Sequence, residues 1–132
     1  MSDHDEAVEM LNVAARDVRG LKAMLDAEVF ADELFGFMAQ QAVEKCLKAW
    51  LCEIGEIYPR THSLAQLVTL LADRGEDVGD LIDFDEFTPF AGALRYARSE
   101  LGGIVGDRGD VIVRVEVVFA HVSQRITPDA PA

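Results

Sequence analysis

A run of amide and charged side chains interrupts an apolar stretch in the first half of the chain. It reads QQAVEKCLKAW and begins at Gln40. On a helix Gln41, Lys45 and Lys48 lie at i, i+4 and i+7 and project from one face, while Gln40 and Glu44 form a second row beside them. Two interpretations stay open. The residues form either a surface with routine i, i+4 pairs or a polar groove built across two helices or two subunits.

Two other positions combine polar or cationic groups that could hold a ligand. Arg95 and Tyr96 place a fixed cation next to an aromatic plane, which could hold a phosphate and a base, although buried pairing of Arg95 with a glutamate explains them equally well. His62 lies between Thr61 and Ser63, either of which can cap a following helix. Its imidazole either satisfies loop carbonyls or takes part in ligand binding.

Metal and dinucleotide chemistry find no support in the residue spacing. No glutamate is followed by a histidine three residues later, as a di-iron bundle requires, and the glycines between Gly102 and Gly109 match neither a Rossmann fingerprint nor a P-loop. Cys46 and Cys52 do not form a CxxC pair, so we interpret both as buried free thiols in a reducing compartment. We therefore expect neither a metal nor a cofactor.

Length and composition limit the classes of protein that remain. The chain has 132 residues, of which 50% are hydrophobic and 27% are charged, as expected of one globular domain. Its net charge of −12 repels phosphate backbones and argues against broad nucleic-acid binding. The acidic start does not resemble a signal peptide, and no uncharged apolar stretch of about 18 residues exists. These features predict a cytoplasmic protein without a membrane span.

Apolar periodicity predicts three helices in the first part of the chain. Ser2 followed by Asp5 is a start signal for helix one, which we place at Asp3 to Ala27. Helix two is predicted from Phe30 to Ile54, with Gly55 as its terminating residue. After a loop that contains Pro59, Ser63 caps a third helix that stops at Gly75. The apolar stripe of helix one consists of Val8, Leu11, Ala15, Val18, Leu21 and Leu25.

The second part of the chain is less regular. Six of the eleven residues from Glu76 to Glu86 are acidic, which indicates a solvated connector rather than a cation site. A short helix is predicted after Pro89, through Phe90, Leu94 and Tyr96. Residues 111–122 alternate like a strand but also form a helical stripe, and we predict a helix from Asp110 to Arg125 because a lone strand would have no partner.

Together these elements predict an all-α fold, an antiparallel four-helix up-and-down bundle with a short additional helix. The bundle is expected to occupy residues 1–126. Residues 127–132 are expected to form a disordered tail.

Three segments carry a resemblance to a known family. They are FMAQQAVEKCLKA at Phe37–Ala49, PRTHSL at Pro59–Leu64 and LRY at Leu94–Tyr96. In this order they resemble the HEPN family, the small helical domains named for higher eukaryotes and prokaryotes nucleotide-binding. The resemblance implies a helical bundle that forms a homodimer and is often encoded beside a minimal nucleotidyltransferase, in a toxin–antitoxin-like or nucleotide-handling module.

Some members of this family are metal-independent ribonucleases with an Arg, a polar residue and a later His. In such a site the His moves a proton from the ribose hydroxyl and the Arg stabilises phosphate charge. After Arg95 no His occurs before His121, so the motif fails at its expected place. Arg114 and His121 match the bare spacing, about 10 Å apart along a helix axis, but Val115 replaces the polar neighbour.

We therefore expect a nucleotide- or RNA-binding module rather than an enzyme. The predicted ligand-binding residues are Gln41, Lys45, Lys48, His62, Arg95 and Tyr96. One alternative is a metal-independent endoribonuclease toxin that uses Arg95 or Arg114 with His121. The other is a structural dimer without a ligand, in which the polar groove only holds helices together.

Overall fold

The fold is a bundle of helices. A computed structural model describes residues 2–92 and 106–128. The described residues form four α-helices and one 3₁₀ helix and include no strand, which confirms the predicted all-α bundle. The helices are α1 (Asp3–Lys22), α2 (Asp32–Glu53), α3 (Leu64–Asp73), the 3₁₀ helix (Leu81–Gly92) and α4 (Arg108–Ile126).

The first two helices form an antiparallel pair. His4 near the start of α1 contacts Glu53 at the end of α2, and Asp17 later in α1 contacts Lys45. The predicted start of α1 is confirmed, because Ser2 and Asp5 form a capping box. Its predicted end at Ala27 is wrong.

The link between α1 and α2 is longer than the sequence indicates. Residues 24–30 are not helical. Arg108 of α4 donates hydrogen bonds to the carbonyl oxygens of Met24 and Phe30 in this link. Helix α2 consequently begins at Asp32 rather than at Phe30. At its other end Gly55 has a φ of 78°, as predicted for a residue that terminates a helix.

Helix α3 runs in the same direction as α2. The loop after α2 doubles back, so that His62 lies beside Glu44, whereas Arg74 at the end of α3 pairs with Glu56. Ser63 caps α3 as predicted by accepting a hydrogen bond from the Gln66 backbone N–H. The 3₁₀ helix that follows runs antiparallel to α2, because Phe90 near its end lies against Gly36 near the start of α2.

The 3₁₀ helix corrects two predictions. With three residues per turn, side chains three apart share one face, and Phe84, Phe87 and Phe90 are accordingly buried together. Asp85 and Thr88 on a second face accept hydrogen bonds from backbone N–H groups at the start of α3. The acidic run is therefore more than a solvated connector.

The predicted short helix does not begin after Pro89. Pro89 lies inside the 3₁₀ helix, which has already started at Leu81. Leu94 and Tyr96, which were assigned to the same short helix, lie outside the described residues.

Helix α4 settles the strand-or-helix ambiguity of the valine-rich segment. Asp107 caps it, and the buried stripe includes Val111, Val115, Val118 and Val122. It runs parallel to α2, since Arg108 contacts Asp32 and His121 contacts Trp50. No helix within residues 2–92 and 106–128 is both long and apolar enough to cross a membrane. Thr127 and Pro128 are described, but residues 129–132 of the predicted tail are not.

Candidate functional site

A buried carboxylate organises the polar residues of α2. Glu44 accepts hydrogen bonds from Gln40 Nε2 at 2.8 Å and from Lys48 Nζ at 3.1 Å, and it contacts His62 Nδ1 at 2.8 Å. Gln40 also donates to the His62 carbonyl oxygen at 3.0 Å. We call Gln40, Glu44, Lys48 and His62 the Glu44 network. It joins α2 to the residues that precede α3.

The Glu44 network keeps its central carboxylate ionised. Burial by itself raises the pKa of Glu44, but hydrogen bonds from Gln40, His62 and Lys48, together with the Lys48 charge, outweigh burial and lower it below the ordinary value. Within the described residues no buried side-chain nitrogen or oxygen lacks a hydrogen-bond partner. The negative charge is thus compensated inside the fold.

His62 presents the network to solvent. Its side chain is 67% exposed, whereas the Glu44 carboxylate behind it is almost closed to water. Because Nδ1 is bound to Glu44, Nε2 is the ring nitrogen left for a ligand. Lys48 adds a cation, and the Tyr58 ring lies 5.6 Å from Lys48 Nζ. The pKa of Tyr58 is raised by burial and by nearby acidic groups, so its phenol stays protonated.

The remaining predicted residues of α2 contact different partners. Lys45 forms a 2.5 Å ion pair with Asp17 of α1 rather than with Glu44. Gln41 donates to Gln40 Oε1 at 2.6 Å and so touches the edge of the Glu44 network. Lys48 and His62 therefore share Glu44 as a partner, whereas Lys45 pairs with α1. Arg95 and Tyr96 lie outside the described residues.

Arg114 and His121 have separate surroundings. Arg114 lies over the Phe84 ring, 4.7 Å from its centroid, and is 3.7 Å from Glu86. His121 is exposed and packs edge-on against Trp50, with ring centroids 5.1 Å apart. The surface between them is lined mainly by the apolar side chains of Leu81, Val117 and Val118. Each side chain already has a partner of its own.

Arg108 is a buried polar residue that sequence reasoning missed. Besides its two carbonyl contacts it donates to Asp32 Oδ1 at 2.8 Å, and its guanidinium lies 4.8 Å from the centroid of the Phe35 ring. All of these partners are more than 70 residues away in sequence, so no local pattern could reveal them. Its role is to hold the link between α1 and α2.

The two thiols differ in their surroundings. Cys46 is buried, and burial, with a smaller effect from Asp17, raises its pKa to about 12. Cys52 is only partly buried, which corrects the prediction that both thiols are buried. The Cys52 sulfur and one carboxylate oxygen each from Asp3 and Glu6, atoms that could bind a metal ion, lie within 4.8 Å of one another. Burial and the neighbouring carboxylates raise the Cys52 pKa, which disfavours a metal-binding thiolate.

Fold and site together define a small helical bundle with a carboxylate-held histidine at its surface. A model of the HEPN domain matches residues 7–107, which is more than half of the chain. The chain belongs to the HEPN family. Membership supports the class of nucleotide- or RNA-binding or ribonuclease-like modules. Comparisons with curated proteins and with solved structures found no match.

Proposed function

We propose that this protein is a nucleotide- or RNA-end-binding module in which His62 and Lys48 contact the ligand. The observation that carries the proposal is the exposed His62 imidazole held by the buried Glu44 carboxylate. A histidine fixed in this way presents Nε2 in one orientation, so a phosphate or base meets a pre-organised group. Lys48 lies beside it, and although its ammonium is paired with Glu44 it is a cation close to this histidine for a phosphate to approach.

Calorimetric titration with ATP, GTP and a short RNA tests this proposal. We expect saturable binding to at least one of them, and at least a tenfold weaker affinity, or about 1.4 kcal/mol, in His62→Ala. His4→Ala is the matched control, because His4 is also exposed and also contacts a glutamate through Nδ1 at 2.8 Å. Equal affinity of His62→Ala and the wild type for every ligand would contradict the proposed site.

We also propose that the protein acts as a homodimer with a minimal nucleotidyltransferase, in a toxin–antitoxin-like system. Family membership supports this, as does the net charge of −12, which suits a protein partner better than a long nucleic acid. Co-purification with the product of a neighbouring reading frame, and sedimentation of the protein alone, test the two parts. A monomer at high concentration would contradict the homodimer.

A ribonuclease is the second candidate function. It is favoured by one observation, namely that Arg114 and His121 line adjoining grooves on the same helix. Asp77, Asp80 and Asp83 border these grooves and repel phosphodiesters, which favours the binding module. Metal-independent RNA cleavage that His121→Ala abolishes would establish the ribonuclease. Cleavage that persists unchanged in His121→Ala would exclude this assignment.

A structural dimer without a ligand remains the third candidate. It is favoured by the complete hydrogen bonding of buried polar side chains in the described residues, since such a network needs no ligand to satisfy it. In that case charge reversal at Lys45 would lower stability without altering the affinity for any ligand. No heat of binding from ATP, GTP or RNA would support this candidate.

A further inference from the structure

An apolar groove with an acidic border runs along α4. Two adjoining cavities of about 200 and 320 Å³ lie between α4 and residues 77–84, and they share Leu81, Val117 and Val118. Val113 lines the larger cavity and His121 the smaller one. We call this continuous surface the α4 groove. It belongs neither to the Glu44 network nor to the contacts of Arg108.

Large apolar side chains are exposed in the α4 groove. Val113 is 59% exposed and Val117 is 62% exposed, although buried valines are available on the opposite side of the same helix. Four residues of an α-helix span about 6 Å, so the two valines form a short apolar row parallel to the axis. A row of this kind fits the apolar face of an added helix.

Acidic side chains border the same groove at regular spacing along the chain. Asp77, Asp80, Asp83 and Glu86 recur every third residue, and the last two lie on one face of the 3₁₀ helix. Asp80 directly precedes the 3₁₀ helix, and its carbonyl oxygen accepts a hydrogen bond from the Asp83 backbone N–H at 3.0 Å. Three residues in such turns span about 6 Å, the axial distance between residues i and i+4 of an α-helix. Glu86 is paired with Arg114, whereas Asp77, Asp80 and Asp83 are exposed and form no ion pair within the described residues.

We propose that the α4 groove binds a basic, amphipathic α-helical segment of a protein partner. Apolar side chains of that segment lie on Val113 and Val117, and its Lys or Arg side chains, four residues apart, face Asp80 and Asp83. The inference deepens the proposed function and rests on it for the existence of a protein partner. It adds the surface and the chemistry that the partner must present.

The acidic border favours a basic helix over a second copy of the chain or an RNA. A second copy of the chain that docked by the same groove would bring two acidic borders together, at a cost in Coulomb energy. An RNA would meet the same repulsion. A basic helix gains attraction from the border and buries the exposed valines at the same time.

The test uses a synthetic helix of about 18 residues with leucines on one face and lysines on the other, which is longer than the roughly 12–15 residues below which isolated helices are marginal. Its fluorescence anisotropy is measured while the full-length protein is titrated in. We expect saturable binding that weakens as salt is added. A control peptide with glutamate in place of lysine should not bind, and binding of both peptides alike would overturn the charge argument.

Matched variants locate the binding surface. Val117→Lys removes an apolar contact and adds a repulsive charge, and we expect it to weaken binding at least about tenfold. Ile57→Lys makes the same change in net charge at a 93% exposed position in the α2–α3 loop and should bind like the wild type. Similar weakening by both variants, or none by Val117→Lys, would overturn the proposal. Both positions are exposed, and circular dichroism would check that the variants fold.

Two further measurements separate the competing outcomes. If sedimentation shows a wild-type dimer that Val117→Lys turns into a monomer, the α4 groove is an interface between copies and the proposal is wrong. His62→Ala should bind the peptide normally, because the Glu44 network lies elsewhere. Peptide binding without nucleotide or RNA binding would leave this inference standing while the proposed ligand site fails.

Discussion

Glu44 places a negative charge where water hardly reaches it, and three side chains compensate that charge. In Glu44→Gln the Lys48 ammonium, which is itself largely buried, loses its ion-pair partner. We expect the free energy of unfolding to fall by about 3 kcal/mol, the usual cost of breaking one side of a buried pair. Urea denaturation followed by circular dichroism measures the change.

The control for this change is Glu9→Gln on the exposed side of α1. It removes an equal charge without touching the Glu44 network, and its effect should stay within about 0.5 kcal/mol. Equal stability of Glu44→Gln and Glu9→Gln would mean that the Glu44 network contributes little.

The contribution of Glu44 depends on pH in a definite direction. Because folding lowers the pKa of Glu44 below its ordinary value of 4.5, the stabilisation is fully present above that pH and is lost as the pH falls through the lower pKa of the folded protein. The stability difference between the wild type and Glu44→Gln should therefore shrink only as the pH falls below about 4.5. Urea titrations at several pH values measure it, and a difference that grows on acidification would refute the assignment.

The side-chain partners of the polar residues on α2 could not be predicted from the sequence. Helical spacing placed Gln41, Lys45 and Lys48 on one face, but Lys48 turns to Glu44 and Lys45 turns to Asp17. A long side chain on a helix can reach several neighbouring positions, and the charges on the adjacent helices determine which one it contacts. Those neighbours are known only once the fold is known.

At the scale of the elements, Gly36 allows α2 and the 3₁₀ helix to approach closely. A Cβ atom at this position would lie 2.4 Å from Cδ1 of the Phe90 ring. We expect Gly36→Ala to lower the free energy of unfolding by about 1–2 kcal/mol, because overpacking exceeds the gain of about 1 kcal/mol in helix propensity. Thermal or urea denaturation measures this loss.

Gly92→Ala serves as the control, since a Cβ atom there meets nothing within 4 Å. The double variant Gly36→Ala/Phe90→Leu should lose less stability than the sum of the two single changes, because the smaller side chain makes room. A Gly36→Ala protein as stable as the wild type would show that the 3₁₀ helix shifts at little cost.

Helix boundaries with a local sequence signal were easier to predict than the boundary that depends on a distant residue. The caps at Ser2 and Ser63 are local, and both were found. The end of α1 was placed too late, because Arg108 binds the link between α1 and α2 from a distant part of the chain. The 3₁₀ helix was missed for another reason. Its apolar period of three, at Phe84, Phe87 and Phe90, was hidden within an acidic run and beside Pro89.

The whole molecule carries a net charge of −12, and this excess opposes compaction. Sodium chloride screens the repulsion, so we expect Tm to rise by about 4 °C between low salt and about 0.3 M, the shift that about 1 kcal/mol produces in a domain of this size. Differential scanning calorimetry measures it. Asp77→Asn/Asp80→Asn should show a smaller rise, and a fall in Tm with salt would mean that ion pairs outweigh the net repulsion.

The Arg108 contacts also bear on how the chain folds during synthesis on the ribosome. The Met24 carbonyl and the Arg108 guanidinium are 84 residues apart, so most of the chain must be translated before they can meet. Until then α1 and α2 can pair as a local hairpin, but the Met24 and Phe30 carbonyl oxygens lack the partner that Arg108 provides. Folding of the nascent chain is therefore completed late, when the last described helix has emerged and closes over the first two.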